Sequence, residues 1–247
     1  MNVIEIKNLK KVYSPRKNPV EALKGVSFSV QKGEIFGILG VNGAGKSTTL
    51  NILIGLLTPT AGRITIFGKD FFKSEDEIKQ RMNIATAYAD LANNLTLYRN
   101  LKVFAAIYGV KRPTKKIEYL MNDFGIWHLR NKWFGDLSAG EKTRANLCKA
   151  LVNDPELLLL DEPTASLDPS IAELVRQKFL NYQKNLGLTI LMTSHNMAEV
   201  EEMCGRVAFL HKGRIYMIDS PDNLARVHKE PDLERVFIKL ARGEYEE

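Results

Sequence analysis

The sequence predicts an α/β fold: a parallel sheet with crossover helices, joined to an N-terminal antiparallel β lobe and carrying an α-helical insert. Three observations predict it. In the last part of the chain, apolar runs of strand length (157–161, 188–193 and 207–211) alternate with helical patterns that begin near Pro169 and Met197. That order belongs to a parallel sheet with crossovers. The first part alternates apolar and polar residues, as half-buried antiparallel strands do. Between them, residues 88–135 repeat apolar positions at helical spacing.

Residues 3–7 and 26–30 are the alternating strands, and 35–39 is a continuous apolar run that suits a strand covered on both faces. A helix beginning near Lys46 runs through Leu50, Leu53, Ile54 and Leu57 on one apolar face. Residues 63–67, between Gly62 and Gly68, close the strand-rich portion. In the insert Thr96 reads as a helix cap and Gly109 as its stop; Pro113 then opens a helix carrying Ile117, Leu120, Met121 and Phe124. Residues 221–247 read as two short helices separated by Pro231. The 247 residues are expected as a single domain. Within it, 1–87 and 144–220 form the α/β core with its β lobe, 88–143 the helical part, and 221–247 a C-terminal extension.

Composition narrows the class. Hydrophobic residues at 45%, charged residues at 26% and nine prolines exclude a disordered or fibrous chain. No run approaches the ~18 uninterrupted apolar residues of a spanning helix. The greasiest, Leu157 to Leu160, ends at once in Asp161 and Glu162. The N-terminus has no charged segment leading into an apolar one, so no secretory signal is expected. Cys148 and Cys204 are too far apart for a metal knuckle and read as small buried side chains, a usage that fits a reducing cytoplasm. The balance of 35 Lys+Arg against 29 Asp+Glu leaves +6, with basic stretches at 7–17 and 111–116. Nucleic acid, an anionic membrane surface or plain solvation all suit such stretches. Charge alone does not choose.

Gly40-Val41-Asn42-Gly43-Ala44-Gly45-Lys46-Ser47 satisfies G-x-x-x-x-G-K-[ST], with an apolar strand before it and an amphipathic helix after it. Small residues let the backbone N–H groups curl around a phosphate chain, and the helix aims its positive end at the same anion. Lys46 adds a point charge for the β and γ phosphates, and the Ser47 hydroxyl suits Mg²⁺. Downstream, the apolar run 157–160 ends in Asp161 and Glu162. At a strand's end two adjacent acids point into a ligand crevice instead of being buried unpaired. Asp161 then holds Mg²⁺ through water and Glu162 polarises the water attacking the γ phosphate, an arrangement favouring hydrolysis over transfer.

Leu137-Ser138-Ala139-Gly140-Glu141 opens a helix running through Leu147 and Leu151, and Ser138 with Glu141 has capping-box spacing. Capping accounts for those residues by itself. Lying between the phosphate loop and the acidic strand, though, the pentapeptide resembles the LSGGQ signature of the ATP-binding-cassette (ABC) ATPases. The resemblance extends over nearly the whole chain and implies a P-loop NTPase with a RecA-like parallel-sheet core. Tyr13 stands where that family stacks an aromatic on adenine, with packing on the lobe as the plain alternative. Ser166-Leu167-Asp168 resembles its D-loop, and His195 matches its switch histidine, which contacts the γ phosphate. His128, His211 and His228, and Trp127 and Trp133, read as structural or exposed.

The implied cofactors are ATP and Mg²⁺. By this resemblance Lys46, Glu162 and His195 are catalytic, and Ser47 and Asp161 are the metal residues. The nucleotide is held by Tyr13, Gly40, Asn42, Gly43, Ala44, Gly45, Lys46, Ser47, Thr48 and Asp168. In this family two cassettes pair head to tail, so Ser138 and Gly140 would reach the γ phosphate bound to the other subunit. The chain departs from the pattern in three places. Where the family carries a glutamine, this chain has Ala87 or Tyr88, with Asp90 as a nearby substitute or a register shift as the alternative. Ala139 is a small-for-small exchange, and Glu141 puts a negative charge in the helix's first turn.

The resemblance implies an ATPase subunit that dimerises around two ATP, as a homodimer or with a related cassette, and powers a separate transmembrane permease. Its place would be peripheral, on the cytoplasmic face of the cell membrane. Residues 232–238 resemble a terminal helix frequent in exporter cassettes. A soluble cassette ATPase acting on ribosomes, nucleic acid or a cofactor-assembly scaffold is the alternative. Nucleic acid is not the expected partner, because this chain has neither tandem cassettes nor a long coiled-coil insert.

Overall fold

Two sheets carry the fold of the computed structural model, which describes residues 1–14, 16, 18–86, 91–242 and 244. Strands β1 (Asn2–Tyr13) and β2 (Val20–Gln31) pair antiparallel. After β3 (Ile35–Leu39) and α1 (Lys46–Leu53), β4 (Ala61–Ile66) and β5 (Lys69–Asp70) complete this lobe in the order β2-β1-β4-β5. β1 and β2 are longer than their alternation indicates. Register shifts near Ile6 and Leu9 break the period of two, so only part of each strand is visible as a pattern. Conversely, α1 stops at Leu53 and does not continue to Leu57. Gly55, at φ 77°, turns the chain, and the N–H groups of Leu56 and Leu57 both bond back to Asn51 O.

The second sheet contains β6 (Met82–Thr86), β7 (Leu157–Asp161), β8 (Thr189–Thr193), β9 (Arg206–His211) and β10 (Arg214–Asp219) around β3, in the order β10-β9-β3-β8-β7-β6. All pairings are parallel except β9 with β10. Its interior strands have an apolar core on each face. Phe36 and Ile38 of β3, with Leu157 and Leu159 of β7, face the β lobe and α1. Ile35, Leu39, Leu158 and Leu160 face the helices. A strand buried on both sides loses its alternation, which is why 35–39 and 157–160 read as continuous runs. β6, β10 and α2 (Glu75–Gln80) carry mixed patterns that the sequence does not resolve.

The insert is built on α3 (Leu97–Ile107), α4 (Pro113–Asp123) and the beginning of α5 (Ala139–Ala150). Thr96 caps α3 by accepting the Arg99 N–H at 3.3 Å, and Pro113 occupies the first turn of α4. Leu101, Ala105, Ile117, Leu120, Met121 and Phe124 form its buried interior. Asp123 fastens it to α6 (Pro169–Leu186), accepting the Tyr182 hydroxyl at 2.6 Å and pairing with Lys178. The chain finishes through α7 (Met197–Met203), α8 (Pro221–Val227) and α9 (Leu233–Ala241), the last two flanking Pro231. Among the described residues no helix is long and apolar enough to cross a membrane. Both cysteines are buried and free, and burial pushes their thiols well above the ordinary range.

Candidate functional site

The strand order creates the site. β3 lies between β8 and β9, so chain segments leaving its carboxyl end enter a crevice at a switch in strand order. The carboxyl ends of β3, β8 and β7 lie side by side and deliver the glycine loop, His195 and the two acids to one edge. Asn42, Gly43, Ala44, Gly45, Lys46, Ser47 and Thr48 line a cleft of about 340 Å³ together with Asp161, Glu162, Ala165 and Ala22. A larger cavity, about 470 Å³, opens at the amino ends of the strands, lined by Arg81, Leu188 and Tyr119 among others. It touches none of the loop residues and none of the acids.

Close packing forces two of the glycines. A Cβ on Gly40 would lie 2.3 Å from Leu210 O, and one on Gly45 would lie 2.8 Å from Ala22 O. Gly45 also takes φ 114°, a conformation L side chains rarely adopt. Gly43, at φ 80°, faces open space. The loop is held from behind, where the Gly213 N–H donates to Ala44 O at 3.0 Å and the Lys24 N–H to Gly213 O at 2.8 Å. Lys46 reaches across the loop to the carbonyls of Gly40 and Val41. Partial burial lowers its pKa, opposed by the charges of Glu162 and Asp161.

Asp161 accepts the Thr193 hydroxyl at 2.6 Å across the β7–β8 register pair. Glu162 sits just past the strand at φ 51°, a left-handed conformation that costs a non-glycine residue roughly 1–2 kcal/mol. Its N–H donates to Thr193 O at 3.1 Å, and its Oε2 lies 2.9 Å from His195 Nδ1. The Glu162 side chain is 33% exposed and that of His195 66%, so the pair is open to solvent on the cleft side. The glycine loop, the Asp161 and Glu162 carboxylates and the His195 ring thus meet within one crevice.

Hard oxygen donors are the right chemistry for Mg²⁺, which usually takes few protein ligands and keeps waters and substrate phosphates. The Ser47 hydroxyl and the Asp161 carboxylate on one cleft fit that requirement. Among the described residues no group of three or more His, Cys, Asp or Glu could form an all-protein metal cage.

The remaining candidates lie around this centre. Tyr13 is 36% exposed and its hydroxyl is 3.3 Å from Thr48 Oγ1, which places the end of β1 beside the loop helix. Asp168 caps α6, accepting the Ser170 hydroxyl at 2.7 Å and the Ile171 N–H at 3.1 Å; these bonds lower its pKa. Ser138 and Gly140 do not line the cleft of their own chain. Ser138 is exposed and forms the capping box, accepting the Glu141 N–H at 3.3 Å while Glu141 accepts the Ser138 N–H at 2.8 Å. Gly140 faces Leu167 and Ser166 O, and Thr143 shares a 2.6 Å hydroxyl contact with Ser166. Ala87, Tyr88 and Asp90 lie outside the described residues. Thr193 and the Thr143–Ser166 contact carry no motif of their own. The strand register alone reveals Thr193.

The family model described as "ABC transporter" matches residues 23–165. The "ABC transporter ATP-binding protein NatA" of Bacillus subtilis (strain 168) is 35% identical over 245 residues, covering 98% of this chain and 99% of that protein. Relatives named for fluoroquinolone export in Mycobacterium tuberculosis (38% identical, 90% of this chain and 72% of that protein) and methionine import in Bordetella avium (36%, 86% and 60%) also match. A solved ATP-binding subunit of an ABC transporter superposes with a TM-score of 0.88 at 28% identity, covering 96% of this chain and 99% of that one. A post-hydrolysis dimer of the cassette MJ0796 bound to ADP and Pi superposes with 0.80 at 25%, covering 88% and 98%. With the phosphate loop, the acids at the end of β7 and a whole-length match, this chain belongs to the ABC transporter family and is an ATP-binding, ATP-hydrolysing subunit of P-loop NTPase fold.

Proposed function

We propose that the chain drives a separate transmembrane permease, working as a pair of cassettes around two ATP at the cytoplasmic face of the cell membrane, in the direction of export. The contact between Glu162 Oε2 and His195 Nδ1, 2.9 Å apart at the edge of the phosphate cleft, carries the catalytic part of this reading. Lys46 and the loop N–H groups hold the triphosphate, with Tyr13 against the base and Thr48 beside it. Glu162 takes the proton of the attacking water, and His195 keeps Glu162 oriented through its Nδ1–H. Ser47 and Asp161 are the residues that would hold Mg²⁺, which supplies charge neutralisation on the phosphates when bound.

The pairing is supported by the placement of Ser138 and Gly140, which lie outside their own cleft on an exposed helix N-terminus. A helix N-terminus favours an anion, and the phosphate of a second copy is the one this reading supplies. Ser166, two positions before Asp168, meets this helix through the Thr143–Ser166 contact. A ligand that binds the closed pair preferentially drives closure, and its hydrolysis releases the pair. Export is supported by the terminal helix α9 and by the relative named for fluoroquinolone export. Affinity purification of the endogenous chain in mild detergent tests the partner. Recovery of a multi-span membrane protein is the expected result, and recovery of ribosomes or nucleic acid without one overturns the proposal.

A further inference from the structure

Helices α5 and α7 open on the same spacing, a polar cap followed three positions later by glutamate, and use that glutamate differently. In α5, Glu141 reaches back to its cap and accepts the Ser138 N–H at 2.8 Å. In α7, Asn196 caps by accepting the Glu199 N–H at 3.2 Å, but the Asn196 N–H is taken by Ser194 Oγ at 3.0 Å. The Glu199 carboxylate is thereby released from capping and turns inward, where the residue is only 2% exposed.

There it receives two hydroxyls. Thr164 Oγ1 donates to Oε1 at 2.7 Å and Ser194 Oγ donates to Oε2 at 2.6 Å. Both donors are buried, at 8% and 3% exposure. A buried carboxylate is costly unless its oxygens are bonded, and bonds to an ionised acceptor are stronger than neutral ones. Each hydroxyl belongs to a different loop of the site. Thr164 follows Glu162 by two positions, and Ser194 immediately precedes His195. Behind the Glu162–His195 contact, then, one carboxylate joins the two loops that carry those side chains.

We propose that Glu199 is a positioning residue for ATP hydrolysis, its carboxylate tying Thr164 to Ser194 and so setting Glu162 against His195. This rests on the roles proposed above for Glu162 and His195. Glu199 does not line the phosphate cleft; it borders the neighbouring cavity of about 410 Å³ that Glu162 and His195 also line, and its carboxylate engages the two loops that carry them. Small displacements of reacting groups have large kinetic effects: about 1 Å of misplacement can cost about 100-fold.

The test is steady-state ATPase activity together with equilibrium ATP binding on the purified full chain. Glu199→Ala is expected to lower kcat about 10- to 100-fold while the ATP Kd moves by no more than about twofold, the pattern of a lost transition-state arrangement. Glu199→Gln, whose amide still engages two hydroxyls, should stay within about threefold of wild-type kcat. Thr164→Val and Ser194→Ala should each lose part of the rate, and neither loss should add to that of Glu199→Ala. A wild-type rate in Glu199→Ala overturns the proposal. So does a joint loss of binding and turnover, or a Gln variant no better than Ala, since both mark a merely structural role. If Glu199→Ala does not fold, the Thr164→Val/Ser194→Ala double variant gives the same reading: lower kcat at unchanged Kd supports it, and unchanged kcat overturns it. Glu162→Gln and His195→Ala separate the two levels. If both are inactive while Glu199→Ala is normal, only the present proposal falls; if both hydrolyse normally, the site reading falls and takes this one with it.

Discussion

Glu162 occupies a strained backbone position where its oxygen meets His195, and under the proposed function that carboxylate is the base for hydrolysis. Glu162→Gln is expected to keep ATP binding and lose turnover by roughly 10²- to 10⁴-fold, the range of a general base. A wild-type kcat in that variant would remove Glu162 as the base. Lys149 is a buried lysine away from the site. It is 8% exposed, donates to Ile84 O at 2.9 Å and lies 5.6 Å from the Phe104 ring centre. Burial lowers its pKa to about 8 from the ordinary 10.5. Between those values the unfolded chain keeps a proton that the folded chain has lost, so stability rises with pH across that window. Replacing Lys149 with Met should remove that rise, on the order of 2 kcal/mol, in urea unfolding compared at pH 7.5 and 10. An identical pH slope in both proteins would contradict the buried charge.

At the scale of elements, the signature helix α5 depends on its capping box. Accepting the Ser138 N–H, with Lys132 nearby at 3.3 Å, holds the Glu141 carboxyl below the usual carboxylate range, against a smaller opposing effect of burial. A depressed carboxyl pKa stabilises the fold above the ordinary glutamate value and loses that contribution as pH falls through the folded value. Glu141→Gln should therefore cost about 0.5–1 kcal/mol at neutral pH, with the gap to wild type closing as pH falls below the ordinary glutamate range. Thermal melts across that range check it, and a gap independent of pH would count against the carboxylate. How legible an element is depends on what surrounds it. Thr96, Pro113, Ser138 and Pro169 announce their helices because a helix start is set by near neighbours in sequence. β6 and β10 do not announce themselves, since their pairing partners lie far along the chain.

The whole molecule presents a phosphate loop on one surface and a signature N-terminus that does not line the same cleft. Under the proposed pairing, a Lys46→Ala chain and a Ser138→Arg chain, each inactive alone, should recover one intact composite site when mixed. Activity of the mixture near half that of wild type per heterodimer is the expected outcome, roughly one working site of two. A mixture as inactive as its parents, with dimerisation verified by light scattering, would contradict sharing of sites across subunits.

The sequence by itself determined the glycine loop, the acids ending an apolar strand, the capping pattern of the signature helix and the alternation of strand and helix. Each is settled by residues within one or two turns of each other, where backbone sterics and capping act. Only the tertiary structure decided that β8 lies between β3 and β7, setting His195 beside Glu162 and Thr193 beside Asp161. It also turned Glu199 inward, although its spacing matches Glu141, which turns back onto its own cap. Strand order is chosen by burying both faces of the sheet at once, and a side chain's direction by the partner that satisfies it. Neither partner is near in sequence.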